Sequence, residues 1–560
     1  MTTTASGVTR SIARAAGLIL VITVFARVVG FLRYLVFGAS VGAGDVGTAY
    51  ASANLVPNLL FEVAAGGALA ATVIPLVAGL VERGEQAVDR DRDGAVRTVG
   101  DGPERANKVI SALLGWTVLV TVTLALLVVL FARPVATLVL GSGEEGPAAL
   151  ATRLLRVFAP QIPLYGIAIV LGAYLQARKR FVWPALAPLL SSLVVIISYR
   201  LYAWASPTLA TTETVGPWAE AWLGWGTTAG VLAMALPLVL PARRAGLRLR
   251  PTLRLPRGLG RRALSLMVAG VGTVGAQQLA IALVLLLAMR AGGLGTLPVF
   301  QYAQALYLLP FAILVAPLLT SVFPHMSEQR LVGDDLGFAT TVAVSLRTVV
   351  ALATLGGAAL FAAGPALEMF FHLIDRAGAV GVGSAAGAFA LGLVPYAVAT
   401  HCTRVLSAAL RARDALLVGS VGWIVAGVMI IVVTLTSPTR RAPEAATAFA
   451  LCIALGMLVA ALVGLGRIAD LMRPSGQGRR VAFGLGLGLV GMPVGAVPGL
   501  LVGRLLLHPG MSELPIVVIG ILSALVAAII VLGLAALVDR DLLDRLIRHR
   551  RRRRGHPATI

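Results

Sequence analysis

Residues 160–178 read PQIPLYGIAIVLGAYLQAR, and residues 395–413 read PYAVATHCTRVLSAALRAR. Laid over one another without a gap, they share seven identities in nineteen, where composition alone gives roughly two. Each is an apolar run that opens on proline and closes on cations. A helix of that length rises about 28 Å, close to the roughly 30 Å of a hydrocarbon core. A second echo joins Val73, Ile74 and Pro75 to Val322, Phe323 and Pro324. The two offsets, 235 and 249 residues, differ by the 14 residues assigned to the charged loop from Arg83 to Lys108. Both pairs cross in the same direction, so the chain reads as two parallel six-span halves. Halves of this kind, rocking about a site at their interface, are the usual physics of alternating access.

The rest of the sequence agrees with a membrane setting. Of 560 residues, 58% are hydrophobic and 13% charged, against about 25% charged in a soluble domain. Fourteen candidate spans lie near 12–39, 46–81, 109–132, 150–176, 182–204, 218–241, 263–290, 297–324, 338–370, 386–410, 415–436, 445–466, 481–504 and 514–537. The expected fold is an all-α polytopic membrane protein with two six-helix bundles and two appended helices around a central cavity. Its expected divisions are an N-terminal bundle 1–242, a basic linker 243–262, a C-terminal bundle 263–474, two appended helices 475–538 and a basic tail 539–560.

The charge pattern sets an orientation. With the N-terminus cytoplasmic, about 34 basic residues fall inside and about six outside, so both termini are expected in the cytoplasm. Eight arginines and no acid lie between Arg243 and Arg262, and seven arginines and no acid between Arg545 and Arg554. Beside apolar runs, such clusters attract anionic membrane lipids. Aromatic interleaving is absent from the tail, which argues against nucleic acid as a partner. Two cysteines, Cys402 and Cys452, and six scattered histidines give neither a disulfide framework nor a metal site. No Walker loop, H-E-x-x-H or G-x-S-x-G appears, so no enzyme chemistry and no cofactor are expected, and transport energy falls to an ion gradient or the membrane potential. Gly486, Gly488 and Gly491 satisfy G-x-G-x-x-G, but no strand precedes them, and they read as packing glycines of span 13.

An ionisable group in mid-membrane costs about 2.5–3.5 kcal/mol, so each one marks a candidate site. Span 1 carries Arg27 and Arg33 in FARVVGFLRY, residues 25–34. Six residues turn a helix by about 600°, which splays these two side chains about 120° apart. The plain alternative for both is snorkelling toward the interface. Span 2 opens on Asp45 and carries Pro57, Asn58 and Glu62 before Gly66 and Gly67. Glu62 is placed to neutralise Arg27 or Arg33, either as a structural ion pair or as part of coupling. Span 10 offers His401 and Arg404 on one helical face. A guanidinium there suits a phosphate-bearing ligand, whereas His401 reads as a packed polar residue. Arg347 and Glu368, nearer the ends of span 9, read as snorkelling groups. In the gapless alignment Arg404 stands opposite Ile169.

FARVVGFLRY, then Asp45, PNLL at 57–60, Gly67, Ala68 and the Val73–Pro75 step, resembles the start of the MurJ/MviN lipid II flippases of the MOP exporter superfamily. QARKRFVWPALAP at 176–188 and the stretch from Arg404 to Arg413 continue the resemblance, which covers residues 10 to 540. It implies a flippase that moves an undecaprenyl-pyrophosphate-linked saccharide, lipid II or a similar envelope precursor, through a cation-lined cavity, with spans 13 and 14 grooved for the lipid tail. By position, Arg27 and Arg33 match the family's span 1 arginines, Asp45 its span 2 acid and Arg404 its span 10 cation. Phe61, Gly66 and Ala305 stand where the family carries an arginine, a glutamate and an arginine, which marks a divergent member. Two other readings stay open: a cation-coupled exporter of small amphiphiles, and a non-transporting scaffold for cell-envelope synthesis proteins.

Overall fold

In the computed structural model, the described residues are 3–63, 88–90, 96–98, 102–141, 145–249, 252–253, 259–437 and 440–538. Gly66, Gly67, Ala68, the Val73–Pro75 step and the basic tail 539–560 lie outside them, as do parts of the Arg83–Lys108 loop and of the basic linker. The chain divides into two compact units, Met1–Met289 and Arg290–Ile560.

The first unit runs α1 (Thr3–Ser40), α2 (Asp45–Glu62), a short antiparallel ribbon of β1 (Val88–Arg90) and β2 (Val96–Thr98), α3 (Gly102–Leu130), α4 (Ala132–Leu140), α5 (Glu145–Phe158), α6 (Gln161–Ala177), α7 (Val182–Ala205), α8 (Pro217–Arg244) and most of α9 (Leu259–Gly292). The second holds α10 (Thr296–Pro310), a π-helical turn Phe311–Val315, α11 (Ala316–Leu331), α12 (Asp335–Ala362), α13 (Gly364–Ile374), α14 (Val382–Leu391), α15 (Leu393–Ala408), α16 (Ala412–Thr436), α17 (Ala442–Met472), α18 (Gly478–Leu506) and α19 (Glu513–Val538). Apart from the ribbon, the fold is all-α, as the apolar runs require.

Twelve described helices are long and apolar enough to cross a membrane, and thirteen if α14 and α15, bent by 44° at Gly392, form one span. The count of fourteen is not reached because the second expected span, 46–81, passes out of the described residues after Val63.

The two helices paired in the sequence comparison, α6 and α15, end in the same turn. Helix α6 ends with Lys179 N–H donating to Gln176 O (2.9 Å) and Arg180 N–H to Leu175 O (2.8 Å). Helix α15 ends with Leu410 N–H donating to Ser407 O (3.1 Å) and Arg411 N–H to Leu406 O (2.9 Å). These are the paired bonds of a Schellman turn. Its left-handed position is held by Lys179 (φ 58) in one unit and by Leu410 (φ 60) in the other. The matching offset is therefore 231, not 235, which sets Tyr396 opposite Tyr165 and Arg404 opposite Ala173 instead of Ile169. A slip of four residues is about one helical turn and keeps each residue on its face, so the apolar pattern tolerates it.

The appended helices belong to the second unit. Gly484, Gly488, Gly491, Gly495 and Gly499 fall on one face of α18, and a Cβ at each would press on a neighbour. Those neighbours are the Arg347 stem, Val350 and Thr354 of α12, then Val531 and the Ser523 carbonyl of α19. Between membrane helices, where water gives no driving force, close backbone approach supplies the packing. Arg347 is not a snorkelling group: it is 7% exposed, and its Nη2 donates to Gln477 Oε1 at 3.0 Å. Glu368 is likewise turned inward, its carboxylate accepting the Gly381 and Gly383 N–H groups at the start of α14.

Candidate functional site

Helix α1 places Arg33 on the same face as Val29 and Phe37, both buried, one turn to either side. Arg33 is half-buried, and Arg27, on another face, is exposed. Counted from Ser40, Arg33 lies about 10 Å and Arg27 about 20 Å into the span. The Arg33 guanidinium carbon is 5.4 Å from the Tyr34 ring centroid, and its electrostatic neighbours are Tyr34, Tyr50, Tyr165 and Tyr199. Among the described residues, no ion pair involves Arg27, Arg33, Glu62 or Arg404. Glu62, exposed at the end of α2, feels the charge of Arg27 without closing a bridge to it.

The phenols around Arg33 are fixed by a directed relay. Thr227 Oγ1 donates to Leu223 O at 2.6 Å, so it accepts from the Tyr50 hydroxyl at 3.0 Å. Tyr50 oxygen in turn accepts from Tyr199 at 2.9 Å. Phe37 lies 5.3 Å from both rings, and Phe158 stands edge-on to Tyr50 at 5.7 Å. The sequence reading missed this cluster, whose members come from α1, α2, α5, α7 and α8. The available signal was a set of tyrosines inside apolar spans, where each hydroxyl requires a partner.

Asn58 joins α2 to α6: its Oδ1 accepts from the Tyr165 hydroxyl at 2.9 Å and its Nδ2 donates to Asn54 O at 2.8 Å. Phe61 packs its ring 4.3 Å from that of Tyr165. Pro57 has no N–H for the Ala53 carbonyl, and the helix loosens into a π turn at Val63. Asp45 lies about 20 Å along α2 from Asn58 and is fully engaged. Its Oδ2 accepts Thr212 N–H (2.9 Å) and Thr212 Oγ1 (3.1 Å), and its Oδ1 accepts Val46 N–H (2.7 Å). It fastens the 206–216 loop to the start of α2.

In the second unit Arg404 is half-buried on α15, with Tyr396 as its electrostatic neighbour. Tyr396 meets Phe311 at 4.7 Å, beside Pro310 and the π turn. Each unit thus sets a cation without an ion-pair partner near the tyrosine of its fourth repeat span, and each backs that tyrosine with a phenylalanine at a π-distorted helix. His401 is buried one turn from Arg404, its Nε2 3.3 Å from Ser345 Oγ. Ser345 gives its own proton to Thr341 O at 2.7 Å, so His401 is the donor, a packed polar residue. Among the described residues, no group of His, Cys, Asp or Glu is arranged to hold a metal ion.

A model of the family described as lipid II flippase MurJ matches residues 37–472. A probable lipid II flippase MurJ of Synechocystis sp. is 30% identical over 251 residues, 44% of this chain and 43% of that protein. Another, of Rhizobium tropici, is 28% identical over 312 residues, 55% and 53% of the two chains. The chain spans about half the length of these curated relatives. Among solved structures, a lipid II flippase MurJ in an inward closed conformation has a TM-score of 0.67 at 17% identity, covering 94% of this chain and 99% of that one. An inward-facing MATE family multidrug resistance transporter of the MOP superfamily has a TM-score of 0.60 at 13% identity, over 80% and 96%. At such identities the two structures are likenesses of fold.

Proposed function

The chain belongs to the lipid II flippase MurJ family, and from that premise we propose that it carries a pyrophosphate-linked lipid saccharide, lipid II or a close relative, across the inner membrane of a bacterium. The observation that carries this reading is Arg33: a half-buried cation inside a span, with the Tyr34 ring 5.4 Å away, three further phenols in electrostatic reach and, among the described residues, no carboxylate paired with it. Guanidinium takes phosphate oxygens through two parallel N–H bonds. Arg404 supplies the corresponding cation of the second unit, with Arg27 exposed beside Glu62. Asp45 and Asn58 act by positioning, one through the 206–216 loop and the other through Tyr165.

The two-half repeat supports alternating access, and the excess of cations on one side supports cytoplasmic termini. Helix α18 turns its glycines to α12 and α19 and leaves Phe483, Leu489, Val490 and Leu501 exposed on the outside. That apolar surface supports a place for the lipid tail. Cell-envelope synthesis proteins are the natural partners of a carrier of this kind.

Mass spectrometry of lipids that copurify with the full chain tests the reading, together with rescue of a strain depleted of its own flippase. Polyprenyl-pyrophosphate glycans in the purified protein and restored growth are the expected results. Protein that carries only phospholipids and restores no growth overturns it.

A further inference from the structure

We propose that the end of the first unit where α6 and α8 finish and α3 begins is a headgroup site for an anionic phospholipid. The inference is independent of what the protein carries and uses only the membrane orientation proposed above.

The site is built, not merely basic. Helix α8 ends in a Schellman turn at Gly246, with Leu247 N–H on Ala242 O at 3.1 Å. Three side chains then donate to the carbonyls of Ala245, Gly246 and Leu253. Tyr174 reaches Ala245 O at 3.1 Å, Asn107 Nδ2 reaches Gly246 O at 3.2 Å, and Trp116 Nε1 reaches Leu253 O at 2.9 Å. Gly115 makes this approach possible, because a Cβ there would stand 2.7 Å from Thr252 O. Leu247 is buried at 5% exposure and pins the middle of the segment.

This strap gathers cations from separate elements. Arg178 lies over the Tyr174 ring, 5.6 Å from its centroid, and Tyr174 is the residue bonded to Ala245, next to Arg243 and Arg244. Arg243, Arg244 and Arg248 are exposed, and among the described residues none of them, nor Arg178, makes an ion pair. The Arg178 Nε is buried and has no hydrogen-bond partner. A charged donor left without an acceptor is costly, and a turn of this half-buried side chain toward a phosphate would give it one in the fork geometry that guanidinium prefers.

The apolar neighbours identify the ligand as lipid. Leu249 and Leu253 are exposed by 44% and 47% beside the arginines, and Phe181 and Trp183 by 43% and 41% next to Lys179 and Arg180. Leucine interleaved with arginine is unfavourable against water. It fits a segment lying in the headgroup layer, cations on phosphate and leucines at the acyl boundary.

The full-length protein, stripped of lipid in detergent, is titrated with phosphatidylglycerol and, separately, with phosphatidylcholine, and bound lipid is counted by native mass spectrometry. Phosphatidylglycerol is expected to bind in preference, and both Arg178→Gln and the double variant Arg243→Gln/Arg244→Gln are expected to weaken it about tenfold. Arg178→Lys, which keeps the charge without the fork, should fall between. The double variant alters only exposed, unpaired groups and so decides the matter even if Arg178→Gln fails to fold. Equal binding of the two lipids, or unchanged phosphatidylglycerol binding in the variants, overturns the proposal. Displacement of phosphatidylglycerol by millimolar inorganic phosphate also overturns it, by assigning the site to free phosphate.

Discussion

Replacing Arg33 by glutamine should make the protein more stable and less able to hold its substrate, and the two signs together separate a binding residue from a packing one. An ionised side chain in the membrane interior costs about 2.5–3.5 kcal/mol. Contact with the Tyr34 ring returns about 0.5–2 kcal/mol of this, and half-exposure returns more. Glutamine should therefore gain about 1 kcal/mol. A phosphate gripped by two charge-assisted hydrogen bonds, each worth about 1.5–3 kcal/mol, loses both, and at 1.4 kcal/mol per decade its affinity falls at least about a hundredfold. Thermal unfolding in detergent reads the first effect, and native mass spectrometry with added polyprenyl-pyrophosphate glycan reads the second. A variant that melts earlier yet binds as before would show that Arg33 is part of the packing of α1, and the transport reading would lose its main support.

Four further outcomes test the architecture. Asp45→Ala removes three acceptor contacts and should cost about 2–4 kcal/mol, with faster deuterium uptake in the 206–216 loop. Tyr50→Phe cuts the relay from Tyr199 to Thr227 and should lower stability by about 1–2 kcal/mol, leaving lipid binding at the strap unchanged. Leu410→Gly relieves a left-handed residue and should raise stability by about 1 kcal/mol, measured by thermal unfolding. Gly499→Val drives a side chain into the Ser523 carbonyl, 2.4 Å from its Cβ, and should cost about 1–3 kcal/mol, with α18 becoming open to proteolysis.

The spans and the two-fold repeat were legible because apolar length and helical period are local properties. Arg33 stands out in the sequence because a cation inside an apolar run needs a reason, and its role in binding rests on the proposal above. The repeat register was not, since a shift of one turn preserves every face, and only the Schellman turns at Lys179 and Leu410 fix it. The relay of Tyr50, Tyr199 and Thr227 joins residues 149 and 177 positions apart, beyond any local pattern. Arg347 was misread for the same reason: its partner Gln477 lies 130 residues later, in the turn that leads to the appended helices. Asp45 was legible as an acid at a helix start, but its loop partner Thr212 was not.

Phe61 of α2 packs its ring on Tyr165, one of the phenols in electrostatic reach of Arg33. The second unit repeats the arrangement with Phe311 on Tyr396, the neighbour of Arg404. In both units an aromatic pair therefore stands in electrostatic reach of a cation that, among the described residues, makes no ion pair. Where such rings keep water from a charge, the lower local dielectric strengthens it toward an incoming anion. Phe61→Arg would add a guanidinium on α2, one turn from Asn58, and remove the ring that packs on Tyr165. The expected result is tighter binding of the glycan at low salt, a steeper salt dependence and a less stable first unit, in contrast to Arg33→Gln on every count.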